Sequence, residues 1–204
     1  MVEYRDIQII KSFPIDWQQL RNKSVLITGS TGRLGLYIVE ALSEANINWN
    51  LNIEIIAVAR NEKKAKMLFK TTLELPFVNL LIQDITSPFD LDVPVDYIFH
   101  TAGLASPTDF THTPVDTLWG HVKGTRNVLE LARQKKSKKV LYVSTVEIYG
   151  NWDSEIAIKE DDMGPLNCDI SRSSYPEAKR LCETMLASYK AQFGVDFVSI
   201  RMSH

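Results

Sequence analysis

The stretch Ser24-Val25-Leu26-Ile27-Thr28-Gly29-Ser30-Thr31-Gly32-Arg33-Leu34-Gly35 decides how this chain folds. An apolar run enters a glycine-punctuated turn, and Leu36-Tyr37-Ile38-Val39 then continues as a helix. Strand, glycine turn and helix is the order that receives a dinucleotide pyrophosphate. Gly29 permits the tight turn, Gly32 lets the backbone approach the phosphates, and Gly35 lets the helix lie close on the strand. The helix N-terminus adds unpaired N–H groups and a partial positive charge. The spacing is Gly-x-x-Gly-x-x-Gly, where the commoner fingerprint is Gly-x-Gly-x-x-Gly. The candidate phosphate-binding residues are therefore Gly29, Ser30, Thr31, Gly32, Arg33, Leu34 and Gly35.

Outward from this turn, apolar β-branched runs recur at residues 25–28, 53–59, 78–82, 97–101, 140–144 and 197–200. Amphipathic stretches at 34–44, 62–70, 117–134 and 176–192 separate them. Alternating strands and helices predict an α/β fold, a Rossmann-type doubly wound parallel sheet. The runs are nearly continuous in apolar character, as strands covered on both faces should be. The first 22 residues are less regular. We expect them to be an extension packed on the domain, with a short helix over 15–20 leading into the first strand.

Composition narrows the function. The chain has 204 residues, 45% of them hydrophobic, enough for one sizeable core. Net charge is −2 with both signs interspersed, so no field favours nucleic acid or an anionic membrane surface. The basic group Lys135-Lys136-Ser137-Lys138-Lys139 reads as a solvated helix end. Cys168 and Cys182 form neither metal spacing nor a disulfide framework. With no signal peptide and no apolar stretch of about 18 residues, this predicts a cytoplasmic protein without a membrane span.

Tyr175 and Lys179 stand four apart at the start of an amphipathic stretch, on one helix face. A phenol titrates near pH ~10, too high for a base at neutral pH, and a neighbouring ammonium is expected to lower that value. Such a pair takes the proton of a substrate hydroxyl while a nicotinamide takes the hydride. Thr145 closes the run 140–144, where its hydroxyl either holds a substrate oxygen beside Tyr175 or binds local backbone. The irregular region from Asn151 to Ser174 follows a strand end, so it either covers a ligand crevice or is a surface insertion.

The glycine motif, His100-Thr101-Ala102-Gly103, Ser144–Gly150 and Tyr175–Lys179 occur in an order that resembles the extended short-chain dehydrogenase/reductases, in particular the NAD(P)-dependent nucleotide-sugar epimerase/dehydratase family. The resemblance covers about residues 23–204 as an NAD(P)-binding Rossmann domain. It implies Tyr175 as base, Lys179 as the residue that holds the nicotinamide ribose and tunes the phenol, and Thr145 as third catalytic hydroxyl. Asp84 and Ile85 would border the adenine, and Thr101, Ala102 and Gly103 would pass beside the cofactor. The helices over 117–134 and 176–192 would be the faces of a homodimer.

Three departures shape the expectation. The family often carries Asn where this chain has His121, which reads as a buried structural histidine; the spacing of His100, His112 and His121 matches no metal motif. Dehydratases of the family usually carry Asp-Glu after the catalytic threonine, whereas Val146-Glu147 stands here. Glu147 could exchange a proton or simply pair in the loop, but Val146 cannot protonate a leaving hydroxyl. Epimerisation or decarboxylation of a nucleotide-activated sugar, through a transient ketone, is thus favoured over dehydration. Finally, residues 199–204 fall at the family's sixth strand, so we expect the N-terminal part of a longer enzyme with the C-terminal substrate lobe largely missing. For the cofactor, Arg60 follows Ala59 where an acidic residue normally reads the ribose, which favours NADP, although the family mostly keeps NAD. Alternative expectations are an NADP-dependent carbonyl reductase of the same superfamily and a non-catalytic cofactor-binding module.

Overall fold

A computed structural model describes residues 4–152 and 157–203. At its centre lie β1 (Ser24–Thr28), β2 (Glu54–Ala59), β3 (Val78–Ile82), β4 (Tyr97–His100), β5 (Lys139–Thr145) and β6 (Phe197–Met202). They form one sheet in the order β3-β2-β1-β4-β5-β6, and every adjacent pair is parallel. The order reverses between β1 and β4, and a crevice opens at the carboxyl ends of these two strands. The doubly wound sheet expected from the sequence is what forms.

The helices are α1 (Tyr4–Ser12), α2 (Arg33–Trp49), α3 (Glu62–Leu68), α4 (Pro107–His112), α5 (Pro114–Lys135) and α6 (Ser174–Phe193). Successive residues of β1 point to opposite faces and seed two cores. Leu26 joins Ile98, Val128, Val140 and Leu186 under α5 and α6. Val25 and Ile27 join Val39, Leu42, Ile55 and Phe69 under α2 and α3. All five residues of β1 are buried, which is why its sequence is apolar without alternation. β6, at the sheet edge, instead alternates half-buried and exposed residues, and Val198, Ile200 and Met202 face outward.

Several boundaries differ from expectation. The irregular N-terminus contains α1, and only Trp17–Leu20 of the helix expected over 15–20 is helical, as a 3-10 turn. α1 has a weak sequence signal because it buries little beyond Ile7. Tertiary bonds hold it: the Tyr37 hydroxyl donates to Asp6 at 2.5 Å, and Lys11 pairs with Glu44 at 3.6 Å. α2 runs past residue 44 to Trp49, where Asn50 ends it in the left-handed region at φ 47°. In its last turn, the buried Asn46 side chain accepts the Ile53 N–H at 2.9 Å and donates to the Ile53 carbonyl at 3.0 Å. Ile53 is thereby satisfied outside the sheet, and β2 starts one residue later than predicted. α4 lies in a stretch with no apolar repeat, which leaves it without a helical signature in the sequence. The irregular region 151–174 is loop over most of its described length and ends in a 3-10 turn at Ser171–Ser173; residues 153–156 lie outside the described residues.

Candidate functional site

The glycine turn has the shape a dinucleotide needs. Gly29 sits at φ +68°, and a Cβ there would come within 2.7 Å of the Ala102 Cα. The Gly32 N–H closes the turn onto the Gly29 carbonyl at 2.8 Å. Gly32 caps α2 with no side-chain bond, so no side chain occupies the helix N-terminus from that position. At Gly35 a Cβ would run into the Gly29 carbonyl oxygen and come within 2.8 Å of the Ser30 Cα, so this glycine serves helix–turn packing.

Gly29, Thr31 and Gly32 line a crevice of about 750 Å³ together with Arg60, Asp84, Ile85, Thr101, Ala102 and Gly103. That volume suits a cofactor-sized ligand. The other residues of the motif are not on its wall. Ser30 is buried and its hydroxyl donates to the Val58 carbonyl at 2.9 Å, tying the turn to β2, while Arg33 and Leu34 are exposed and Gly35 is buried in packing. Sequence reasoning missed Asn61, Lys64, Leu104, Asp116, Trp119 and Lys123, which complete much of the wall. Asn61 carried a signal, as a residue able to cap α3: its side-chain oxygen accepts the Lys64 N–H at 2.9 Å.

Arg60 and Asp84 face each other at 3.9 Å, both largely exposed. Burial pushes the Asp84 carboxyl up, but the Thr86 N–H and hydroxyl, each at 2.8 Å, and the Arg60 guanidinium outweigh it and hold the group below its ordinary value. Thr28 pins the segment after β4: the Thr101 hydroxyl donates to its carbonyl at 2.7 Å and the Ala102 N–H to its hydroxyl at 3.3 Å.

A second group lies beside the crevice wall and off it: Thr145, Glu147, Tyr175 and Lys179. β5 brings Thr145 to the carboxyl rim, where its hydroxyl accepts the Glu147 N–H at 3.2 Å, the local backbone role. The same hydroxyl also acts on the Tyr175 phenol, whose titration it lowers. Tyr175, in the first turn of α6, is 4% exposed. One turn on, the buried Lys179 Nζ donates to the Val143 carbonyl at 2.7 Å and lies 4.7 Å from the centre of the Tyr142 ring. Glu147 pairs with Arg172 at 2.7 Å.

The electrostatics correct one expectation. The sequence predicts a phenol lowered by the Lys179 ammonium, yet the Tyr175 phenol is raised, because its burial outweighs the lowering effect of the Thr145 hydroxyl. Burial acts on Lys179 too and lowers it to about 8, against smaller raising effects from Cys182 and Glu183. His100 and His121 are both pushed down to about 3, chiefly by burial, and stand neutral at physiological pH. His100 sits between the Thr28 and Thr125 hydroxyls at 2.8 and 3.1 Å. His121 Nε2 donates to the Leu104 carbonyl at 3.0 Å, and its ring fills the space that a Cβ at Gly103 would take. The same ring packs edge-on against Tyr175 at 5.5 Å, so it joins the crevice wall to the phenol. His112 Nδ1 bonds the Thr108 carbonyl at 2.9 Å, and among the described residues no cluster of His, Cys, Asp or Glu could hold a metal ion. No helix among them is long and apolar enough to cross a membrane.

Comparison with known proteins places these two groups in context. A sequence model of the NAD dependent epimerase/dehydratase family matches residues 25–204. The chain is 34% identical over 176 residues to UDP-glucuronic acid decarboxylase 6 of Arabidopsis thaliana, which covers 86% of this chain and 48% of that protein. It is 31% identical over 175 residues to UDP-glucuronic acid decarboxylase 1 of Danio rerio, covering 85% of this chain and 39% of that one. The crystal structure of a UDP-galactose 4-epimerase superposes with a TM-score of 0.70 at 26% identity, over 87% of this chain and 55% of that one. The chain spans about half the length of the curated relatives it matches. With a match that runs from β1 to the end of the sequence, the chain belongs to the NAD dependent epimerase/dehydratase family.

Proposed function

We propose that this chain is the dinucleotide-binding portion of an enzyme that epimerises or decarboxylates a nucleotide-activated sugar. The observation that carries it is the buried Thr145–Tyr175–Lys179 group at the carboxyl rim, one imidazole away from the glycine crevice. Binding of a dinucleotide alone would not require a hydroxyl, a phenol and an ammonium to be gathered there.

In this proposal the Gly29–Gly32 turn and the N-terminus of α2 hold the pyrophosphate, and Asp84 and Ile85 border the adenine. When bound, the nicotinamide supplies a reversible hydride acceptor. Tyr175 takes the proton of a sugar hydroxyl, Thr145 holds that same oxygen, and Lys179 supplies positive charge behind the phenol. A ketone on the sugar then acidifies its neighbouring carbon, or accepts the electron pair that leaves when a carboxylate two carbons away departs as carbon dioxide. In this reading Glu147 exchanges a proton with that carbon. UDP-glucuronic acid is the first substrate to test, since the relatives named above are called UDP-glucuronic acid decarboxylases. As to the cofactor, the family is described as NAD dependent. Ala59 and Arg60 at the end of β2 carry no carboxylate of their own, and the Arg60 guanidinium supports acceptance of NADP as well.

The deciding experiment incubates the chain and its Tyr175→Phe variant with UDP-glucuronic acid and NAD, and follows products by NMR. Turnover in the parent that falls by about two to four orders of magnitude in the variant, with cofactor binding kept, is the expected result. Equal turnover in both would exclude the phenol as base.

A further inference from the structure

We propose that Phe110 and Arg172 are positioning residues for the Tyr175 phenol, an inference that rests on Tyr175 being the proton acceptor. The Phe110 ring stacks on Tyr175 at 5.2 Å with 25° between the planes, while His121 meets the same phenol ring edge-on at 63°. On Phe110 in turn lies the Arg172 guanidinium, 4.2 Å from the ring centre, and its Nη2 bonds Glu147 Oε2 at 2.7 Å. The Glu147 N–H returns to the Thr145 hydroxyl at 3.2 Å. The contacts thus form a chain, Tyr175–Phe110–Arg172–Glu147–Thr145, drawn from α6, α4, the turn before α6 and the end of β5.

The chemistry of that chain of contacts is unlike ordinary core packing. Tyr175 and Phe110 are 4% and 3% exposed, yet the stack ends on an ion pair whose arginine side chain is 47% exposed. An apolar residue would cover Phe110 more cheaply than a guanidinium that must keep a partner. α4 has only six residues, too few to be stable by itself, so its place depends on tertiary contacts, among them those of the buried Phe110. A phenol moves by rotation about two side-chain bonds. Phe110 closes one face and His121 the edge, which limits both rotations. Through Arg172 the same clamp sets Glu147, so both proton-handling groups share one support. Displacement of a reacting group by about 1 Å costs on the order of a hundredfold in rate, which is what such a support prevents.

The test does not need turnover. The 204-residue chain and its Phe110→Leu, Phe110→Tyr and Arg172→Gln variants are nitrated with tetranitromethane, and modification at Tyr175 and Tyr149 is followed by peptide mass spectrometry. Loss of a ring stack of ordinary strength predicts about fivefold faster nitration of Tyr175 in Phe110→Leu. Arg172→Gln should give a smaller increase, Phe110→Tyr should restore the parent rate, and Tyr149 should not change. Parent-like rates at Tyr175 in both Phe110→Leu and Arg172→Gln would overturn the proposal, as would a parallel rise at Tyr149, the mark of general loosening. With UDP-glucuronic acid and NAD, kcat should fall in Phe110→Leu while KM stays within about twofold and Phe110→Tyr recovers. A kcat at or above that of the parent would make Phe110 a plug over the phenol and would also refute positioning. A parent chain without turnover counts against the proposed function alone, because nitration still decides the clamp.

Discussion

Replacing Lys179 with methionine is expected to stabilise the chain at neutral pH while removing a group the proposed chemistry depends on. Lys179 is 5% exposed and burial lowers it from 10.5 to about 8. An ammonium held below its ordinary value opposes folding as long as it is charged. At 2.303RT per pH unit, the opposition is about 3 kcal/mol at pH 7. Methionine fills similar space without charge, but it leaves the Val143 carbonyl without its 2.7 Å donor. The orphaned carbonyl costs about 1–2 kcal/mol, so the variant gains a net ~1–2 kcal/mol. The sign with pH follows from proton counts. Between pH 8 and 10.5 the unfolded lysine keeps its proton and the folded one has lost it, so the parent gains stability as pH rises. Between pH 7 and about 9.5 that gain is about 2 kcal/mol. The variant lacks this titration, and all other groups cancel in the difference. Urea unfolding followed by far-UV circular dichroism should show the variant ahead at pH 7 and level with the parent, or behind it, at about pH 9.5. A stability difference that stays constant across this range would refute the assignment of a depressed, buried ammonium to Lys179.

Other predictions test the crevice. Gly35→Ala drives a methyl group into the backbone of the Gly29–Ser30 turn, which cannot yield as a flexible side chain would. The overpacking costs about 1–3 kcal/mol, or about 2–12 °C in Tm by scanning fluorimetry, together with a loss of dinucleotide affinity. An unchanged Tm would mean that α2 does not pack on the turn as described. Arg60→Ala should weaken NADP about tenfold by calorimetry and leave NAD within about twofold, the loss of one charge-assisted bond. Equal weakening of both cofactors would remove Arg60 from any role at a 2′-phosphate.

The glycine turn and the parallel sheet were legible because both are written in neighbouring residues. A strand, a left-handed glycine and a helix start leave a local pattern, and β1 shows it most clearly because burial on both faces forbids polar positions. Where the determinants are distant in sequence, legibility ended. Ser30 and Gly35 belong to the motif, but one is bonded to β2 and the other packs on the turn. α1 is held by Tyr37 and Glu44 of α2, residues that nothing in the first 22 positions announces. Phe110 lies in a segment without apolar rhythm, and Arg172 shows its use only once α4 is laid against α6.

The sequence by itself determined the order of the six strands and of α2, α3, α5 and α6 between them, the glycine turn, and the placement of Tyr175 and Lys179 one helical turn apart, since each depends on spacing along the backbone. Only the tertiary structure decided the electrostatics of that pair. Helical spacing puts an amine near a phenol, but the sign of the effect depends on how far each is removed from water and on what each is bonded to. Here the phenol is raised by its own burial and the ammonium is committed to the Val143 carbonyl of β5. Desolvation is a property of the assembled surroundings, contributed by α4, α5 and β5 together, and no local stretch of residues encodes it.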